Sequence, residues 1–129
     1  MIKAILIDDE VHCLDTLSIL ITDFCPEVQV MEVCRSAKQG LDAVAKHQPS
    51  IIFLDIEMPV MNGFEFLAAY ARYPGPHSPV IILSAQPDLA RDALPEFVMA
   101  VLPKPFELKD LVSFVAKYAQ PVWGGVGLQ

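Results

Sequence analysis

A chain of 129 residues is the size of one domain, and 53% apolar against 19% charged residues excludes an intrinsically disordered segment. The formal net charge of −7 argues against direct nucleic-acid binding by this chain, since such a surface must be positive to displace counterions. No apolar run approaches the roughly 18 residues of a membrane span, and the first apolar run begins at Ile2 with no room for a signal peptide, so a cytoplasmic protein with no membrane association is expected.

Ile2 to Ile7 reads as a strand that stops at three acids, Asp8, Asp9 and Glu10. From Val11 the spacing turns helical, with Leu14, Leu17, Ile21 and Phe24 three or four apart, and Pro26 ends the helix. Val28, Val30 and Val33 suggest a second strand closing near Cys34. Ser36 followed by Gln39 is a capping-box signature, opening a second helix through Leu41, Val44 and Ala45. Pro49 marks the turn after it.

Ile51 to Leu54 is wholly apolar and ends in Asp55, the pattern of a strand buried on both faces in a parallel sheet. Met61-Asn62-Gly63 supplies a loop, and Phe64 to Tyr73 reads as a third helix with Phe64, Leu67, Ala68 and Ala71 inward. Pro74 to Pro79 is a turn-rich connection. Val80 to Leu83 is another apolar strand, ending in Ser84. Asp88 to Leu94 reads as a short fourth helix that Pro95 stops, since a proline in a helix interior costs about 3 kcal/mol. Phe97 to Leu102 is the fifth strand, ahead of Pro103-Lys104-Pro105. Glu107 to Tyr118 is the last helix, with Leu108, Leu111, Val112 and Val115 on one side.

This alternation implies βαβ units with right-handed crossovers. The expected fold is a flavodoxin-like, doubly wound (βα)5 α/β domain, its five parallel strands in the order 2-1-3-4-5 and its helices on both faces. The domain is expected over residues 1–119, with 120–129, including Trp123, a tail that adds no effector domain. Cys13, Cys25 and Cys34 match no metal pattern and fit reduced thiols. His12, His47 and His77 share no spacing and read as surface or helix residues.

In that strand order Asp8 and Asp9 meet Asp55 at the switch point, with Ser84 and Lys104 at the neighbouring strand ends. Three carboxylates so close cannot all stay ionised without compensation. A hard cation resolves the crowding: Mg²⁺, with Mn²⁺ as a substitute, takes oxygen ligands. One carboxylate then becomes a nucleophile toward a phosphoryl group, whose oxygens are shared among the metal, the Ser84 hydroxyl and the Lys104 ammonium.

Taken together, these motifs resemble the receiver domain of a two-component response regulator over Ile2 to Tyr118. The residues that carry the resemblance are Ile7-Asp8-Asp9-Glu10, Leu54-Asp55-Ile56-Glu57-Met58-Pro59 with Asn62-Gly63, Ser84-Ala85, and Lys104-Pro105-Phe106. The resemblance implies that Asp55 accepts a phosphoryl group from a sensor histidine kinase or phosphotransfer protein. It implies Mg²⁺ bound directly by Asp9, Asp55 and the backbone carbonyl of Glu57, with Asp8 acting mostly through water. Lys104 is then the partner of the acceptor carboxylate and later of the phosphoryl group, and the Lys104–Pro105 bond is expected to be cis. The chain is expected to be no enzyme beyond promoting its own phosphorylation and slow dephosphorylation. The Asp55-to-Pro59 segment and the Ser84-to-Lys104 spacing are similar to receivers that precede LytTR-type DNA-binding domains.

The chain also departs from the family pattern. Where receivers commonly carry Tyr or Phe three residues before the lysine, this chain has Val101, which cannot make the same rotation. Glu57 and Gln86 stand where family members flank the path of hydrolytic water, and Met58 and Met61 are expected to pack or line the mouth of the site. Phe97, Val98, Met99 and Val101 fall near the face formed by the fourth helix, fifth strand and last helix, through which a phosphorylation-sensitive homodimer is expected.

Three rival readings follow from the same residues. One is a pseudo-receiver that folds but serves only as an interaction module. Another is an aspartyl phosphatase of the haloacid-dehalogenase type, although its nucleophile motif normally follows the first strand and this length leaves no cap domain. A cofactor binder of the flavodoxin type would need a phosphate-cradling loop where Asp8-Asp9-Glu10 repel phosphate.

Overall fold

A computed structural model describes residues 1–86, 88–89 and 93–119. In chain order it contains β1 (Ile2–Ile7), α1 (Val11–Phe24), β2 (Val28–Cys34), α2 (Ala37–His47), β3 (Ile51–Asp55), α3 (Gly63–Ala71), β4 (Val80–Ser84), β5 (Val98–Pro103) and α4 (Leu108–Tyr118). The strands form one parallel sheet in the order β2-β1-β3-β4-β5, as the sequence pattern predicts. β3 and β4 are buried along their whole length because helices cover both faces. Ile51 and Phe53 face the layer of α1 and α4, while Ile52 and Leu54 face α2 and α3. No helix among the described residues is long and apolar enough to cross a membrane.

The strands follow prediction more closely than the helix faces do. In α1, Leu14, Leu17 and Ile21 are buried, but Phe24 is 50% exposed. The helix ends there, and Cys25 turns inward to fill the space. In α2, Val44 is buried as expected and Ala45 is exposed, because Gly40 and Ala43 set the contact. A Cβ on Gly40 would lie 2.6 Å from Ile7 Cδ1, so the absent side chain lets α2 press onto β1. Ser36 Oγ accepts the Gln39 N–H at 3.1 Å, while the Gln39 side chain accepts from Arg35 N–H rather than from Ser36. The complete reciprocal box is at α3, between Asn62 and Glu65.

α3 differs most. Its buried residues are Gly63, Phe66, Leu67 and Tyr70, so the expected inward positions of Phe64, Ala68 and Ala71 are corrected to outward ones. The phase is set by Gly63, whose N–H bonds the Ile56 carbonyl at 3.0 Å. A Cβ there would lie 2.6 Å from Ile56 Cα and 2.7 Å from the Asp55 carbonyl oxygen. In α4, Leu111 and Val115 are buried, Leu108 is half-buried and Val112 is turned out at 38% exposure. The fifth strand is shifted by one residue from its expected span. Lys104–Pro105 is cis, as the resemblance implies. The predicted fourth helix includes residues 90–92, and the tail with Trp123 comprises 120–129; both stretches lie outside the described residues.

All three cysteines are free thiols. Burial, aided by the charge of Glu32, pushes the Cys34 thiol up to about 12, which leaves it unreactive at neutral pH.

Since any Cβ at Gly63 meets the backbone of Asp55 and Ile56 at the end of β3, Gly63→Ala should cost about 1–3 kcal/mol of stability. Urea denaturation checks this, and a variant within about 0.5 kcal/mol of wild type would show that α3 can shift freely.

Candidate functional site

The parallel register places the chemistry. Ile7 pairs with Leu54, so Asp8 and Asp9 leave β1 beside Asp55 at the end of β3. Ser84 pairs with Pro103, and the Lys104 N–H bonds the Ser84 carbonyl at 2.9 Å, which brings the lysine to the same end of the sheet. One carboxylate oxygen from each of Asp8, Asp9 and Asp55 lies within 4.8 Å of the others. The ends of β1, β3, β4 and β5 therefore converge as the sequence predicts.

Asp8 is fully buried. Its Oδ1 accepts the Glu10 N–H at 2.9 Å, and its Oδ2 accepts from Lys104 Nζ at 2.9 Å. The same ammonium stands 3.3 Å from Asp55 Oδ1, which also accepts the Glu57 N–H at 3.2 Å. Lys104 is thus closer to Asp8 than to the expected acceptor. Glu10 turns away from the cluster: its Oε1 accepts the His12 N–H at 2.6 Å and caps α1. Asp9 is half-buried at the rim.

Lys104 pairs with two of the three clustered carboxylates, Asp8 and Asp55. Burial first, then the negative charge of Asp8, push Asp55 up to about 7 against the opposing Glu57 N–H and Lys104. For Lys104, burial acts to lower the pKa, but the hydrogen bond and charge of Asp8, with the charge of Asp55, leave it raised. The lysine stays an ammonium. A hard divalent cation fits here, because the donor set is oxygen only and the carboxylate charge is under-compensated.

Ser84 is brought to the site but its hydroxyl is turned into its own loop. Oγ donates to the Gln86 carbonyl at 3.1 Å and accepts the Gln86 N–H at 2.9 Å. A cavity of about 450 Å³ adjoins it, lined among others by Glu57, Met58, Asn62, Phe64, Ser84 and Gln86. Met58 borders this cavity and Met61 packs against the core, as expected of the two methionines. Val101 is half-buried against the layer of α2 and α3. The four residues expected to form an apolar face are largely drawn into the core: Val98 is buried, and Phe97, Met99 and Val101 are half-buried.

His12 is exposed, and His47 pairs with Glu32 at 3.0 Å. His77 is not a plain surface residue. Its Nε2 donates to the Tyr70 carbonyl at 3.0 Å, and its ring stacks on Phe97 with centroids 4.7 Å apart. Sequence reading missed this aromatic group of Tyr70, Tyr73, His77 and Phe97, whose only local signal is two tyrosines and a histidine flanking a proline-rich turn.

Residues 4–116 match the family model of the response regulator receiver domain. The chain is similar to the transcriptional regulatory protein BtsR of Shigella flexneri, with 29% identity over 120 residues, 93% of this chain and 49% of that protein. It is similar also to the sensory transduction protein LytT of Bacillus anthracis, with 27% identity over 118 residues, 92% of this chain and 47% of that protein. The chain spans about half the length of the curated relatives it matches. Among solved structures, a response regulator receiver domain protein from Clostridium thermocellum superimposes with a TM-score of 0.78 at 25% identity, covering 92% of this chain and 94% of that one.

The raised Asp55 pKa has a stability consequence. The folded chain holds that proton from its ordinary value near 3.8 up to about 7, where the unfolded chain has lost it. The Asp55 contribution therefore favours folding at low pH and is lost as pH rises through that window. Without divalent cations, Asp55→Asn should be more stable than wild type at pH 7.5 by at least about 1 kcal/mol, with the gap closing toward pH 4. Urea midpoints in a chelating buffer measure the difference, and a gap independent of pH would contradict it.

Proposed function

The chain belongs to the response regulator receiver domain family, and on that footing we propose that it is a phosphorylation-controlled signalling receiver whose acceptor is Asp55. The observation that carries this reading is the half-buried Lys104 ammonium held between Asp8 at 2.9 Å and Asp55 at 3.3 Å. An Asp55 carboxylate oxygen attacks the phosphorus of a phosphohistidine on a sensor histidine kinase or phosphotransfer protein. The new O–P bond forms as the P–N bond breaks, and the imidazole leaves with the bonding pair and takes up a proton. Lys104, already poised beside Asp55 Oδ1, receives the charge on a phosphoryl oxygen. Ser84 can serve a second oxygen once its hydroxyl leaves the Gln86 carbonyl.

Receivers generally bind Mg²⁺, and the acidic cluster suits it. Asp9 and Asp55 would hold the ion directly together with the Glu57 carbonyl. Asp8 would act through water, since both its oxygens already have protein partners. When bound, the ion supplies positive charge to the crowded carboxylates and to the transferred group; Mn²⁺ would serve in its place. The chain performs no turnover of other substrates and works in the cytoplasm. Its phosphorylation alters contacts around β5 and α4, including self-association. Similarity to a transcriptional regulatory protein and a sensory transduction protein supports a receiver of the LytTR-associated type, with output carried by a longer protein.

Intact-mass measurement after incubation with acetyl phosphate and Mg²⁺ tests the assignment. Wild type should gain one phosphoryl group, Asp55→Ala none, and Lys104→Ala should react at least about tenfold more slowly. An unreactive wild type would leave a pseudo-receiver, and a labelled Asp55→Ala would place the acceptor elsewhere.

A further inference from the structure

A second cavity, of about 410 Å³, opens between the C-terminal ends of α2 and α3, at the end of the sheet opposite Asp55. Its walls include Val44, Ala45, Gln48, Tyr70, Tyr73 and Pro74, and none of the described lining residues carries a formal charge. Tyr70 and Tyr73 stand with centroids 5.6 Å apart and planes at 75°, a corner of two aromatic walls. The loops around them are stapled in place. Tyr70 Oη accepts the Ser78 N–H at 2.7 Å, Ser78 Oγ donates to the Pro49 carbonyl at 2.5 Å, and His77 is tied to the Tyr70 carbonyl. The cavity is therefore preformed and within the size range of small-molecule sites.

Its electrostatics select a sign. Two helices end at this cavity, and the last carbonyls of a helix carry the negative end of its dipole. Aromatic faces attract cations as well. The basic side chains nearby do not fill the role. Lys46 and Arg72 are exposed and outside the lining, His47 pairs with Glu32, and His77 is bound to the Tyr70 carbonyl. We infer that the cavity between α2 and α3 is a binding site for a small organic cation of the quaternary-ammonium class. The cation sits in the corner of Tyr70 and Tyr73 beneath the two helix ends. This site is independent of the acceptor chemistry, and it uses none of the residues placed there.

Amide NMR titration of the intact chain with choline, and in parallel with its neutral isostere 3,3-dimethylbutan-1-ol, tests the inference. Choline should shift amides of 44–48 and 70–78 in a saturable manner, and bind at least about fivefold more tightly than the alcohol. Tyr73→Phe keeps the ring and should bind as wild type. Tyr73→Leu should lose at least about fivefold, and the exposed Ala45→Lys should abolish binding with the fold intact. Equal binding of the alcohol, no saturable shifts, or shifts centred outside these two segments would overturn the site.

Discussion

The end of the sheet that carries Asp55 is organised by one charge imbalance: among the described residues one half-buried ammonium, Lys104, pairs with Asp8 and Asp55, while Asp9 adds a third carboxylate to the cluster. Each carboxylate alone would be costly to bury, and together they repel. Lys104 compensates Asp8 most closely, which leaves Asp55 with its proton held up toward neutrality. That residual cost gives a divalent cation its opening. It also keeps Asp55 beside the Lys104 ammonium.

Everything that fixes this imbalance is sheet architecture. β1 and β3 are adjacent and in register, so carboxylates separated by 46 residues of sequence emerge together. Both strands are fully buried near their ends, which makes a register slip expensive. Gly63 brings the start of α3 onto the backbone of Asp55 and Ile56, and Gly40 brings α2 onto Ile7 just before Asp8. The two glycines act at the two strand ends that carry the acids. Glu10, spent on capping α1, keeps a fourth carboxylate out of the cluster.

The strands and the acid cluster were readable in the sequence because the apolar runs Ile2–Ile7, Ile51–Leu54 and Val80–Leu83 each end in a polar residue, and the parallel order then dictates which ends meet. Helix faces were less readable. Local periodicity marks a stripe but not the residue at which the sheet edge is passed, hence Phe24 and Val112 turned out. In α3 the true phase depends on Gly63, and a residue without a side chain leaves no trace in a hydrophobic pattern. The identity of Ser84 was legible, yet its engagement with Gln86 was not, since a serine at a strand end has several partners within reach. The cluster of Tyr70, Tyr73, His77 and Phe97 was hidden for a different reason: β4 separates Phe97 from the others in sequence.

Calorimetric titration of Mg²⁺ near pH 6.5, repeated in buffers of different ionisation enthalpy, tests the charge imbalance most directly. A cation that occupies the cluster must displace the proton held by Asp55. One ion per chain with net proton release, the release disappearing in Asp55→Asn, is the expected result. Mg²⁺ binding with no proton released, or the same release from Asp55→Asn, would contradict it.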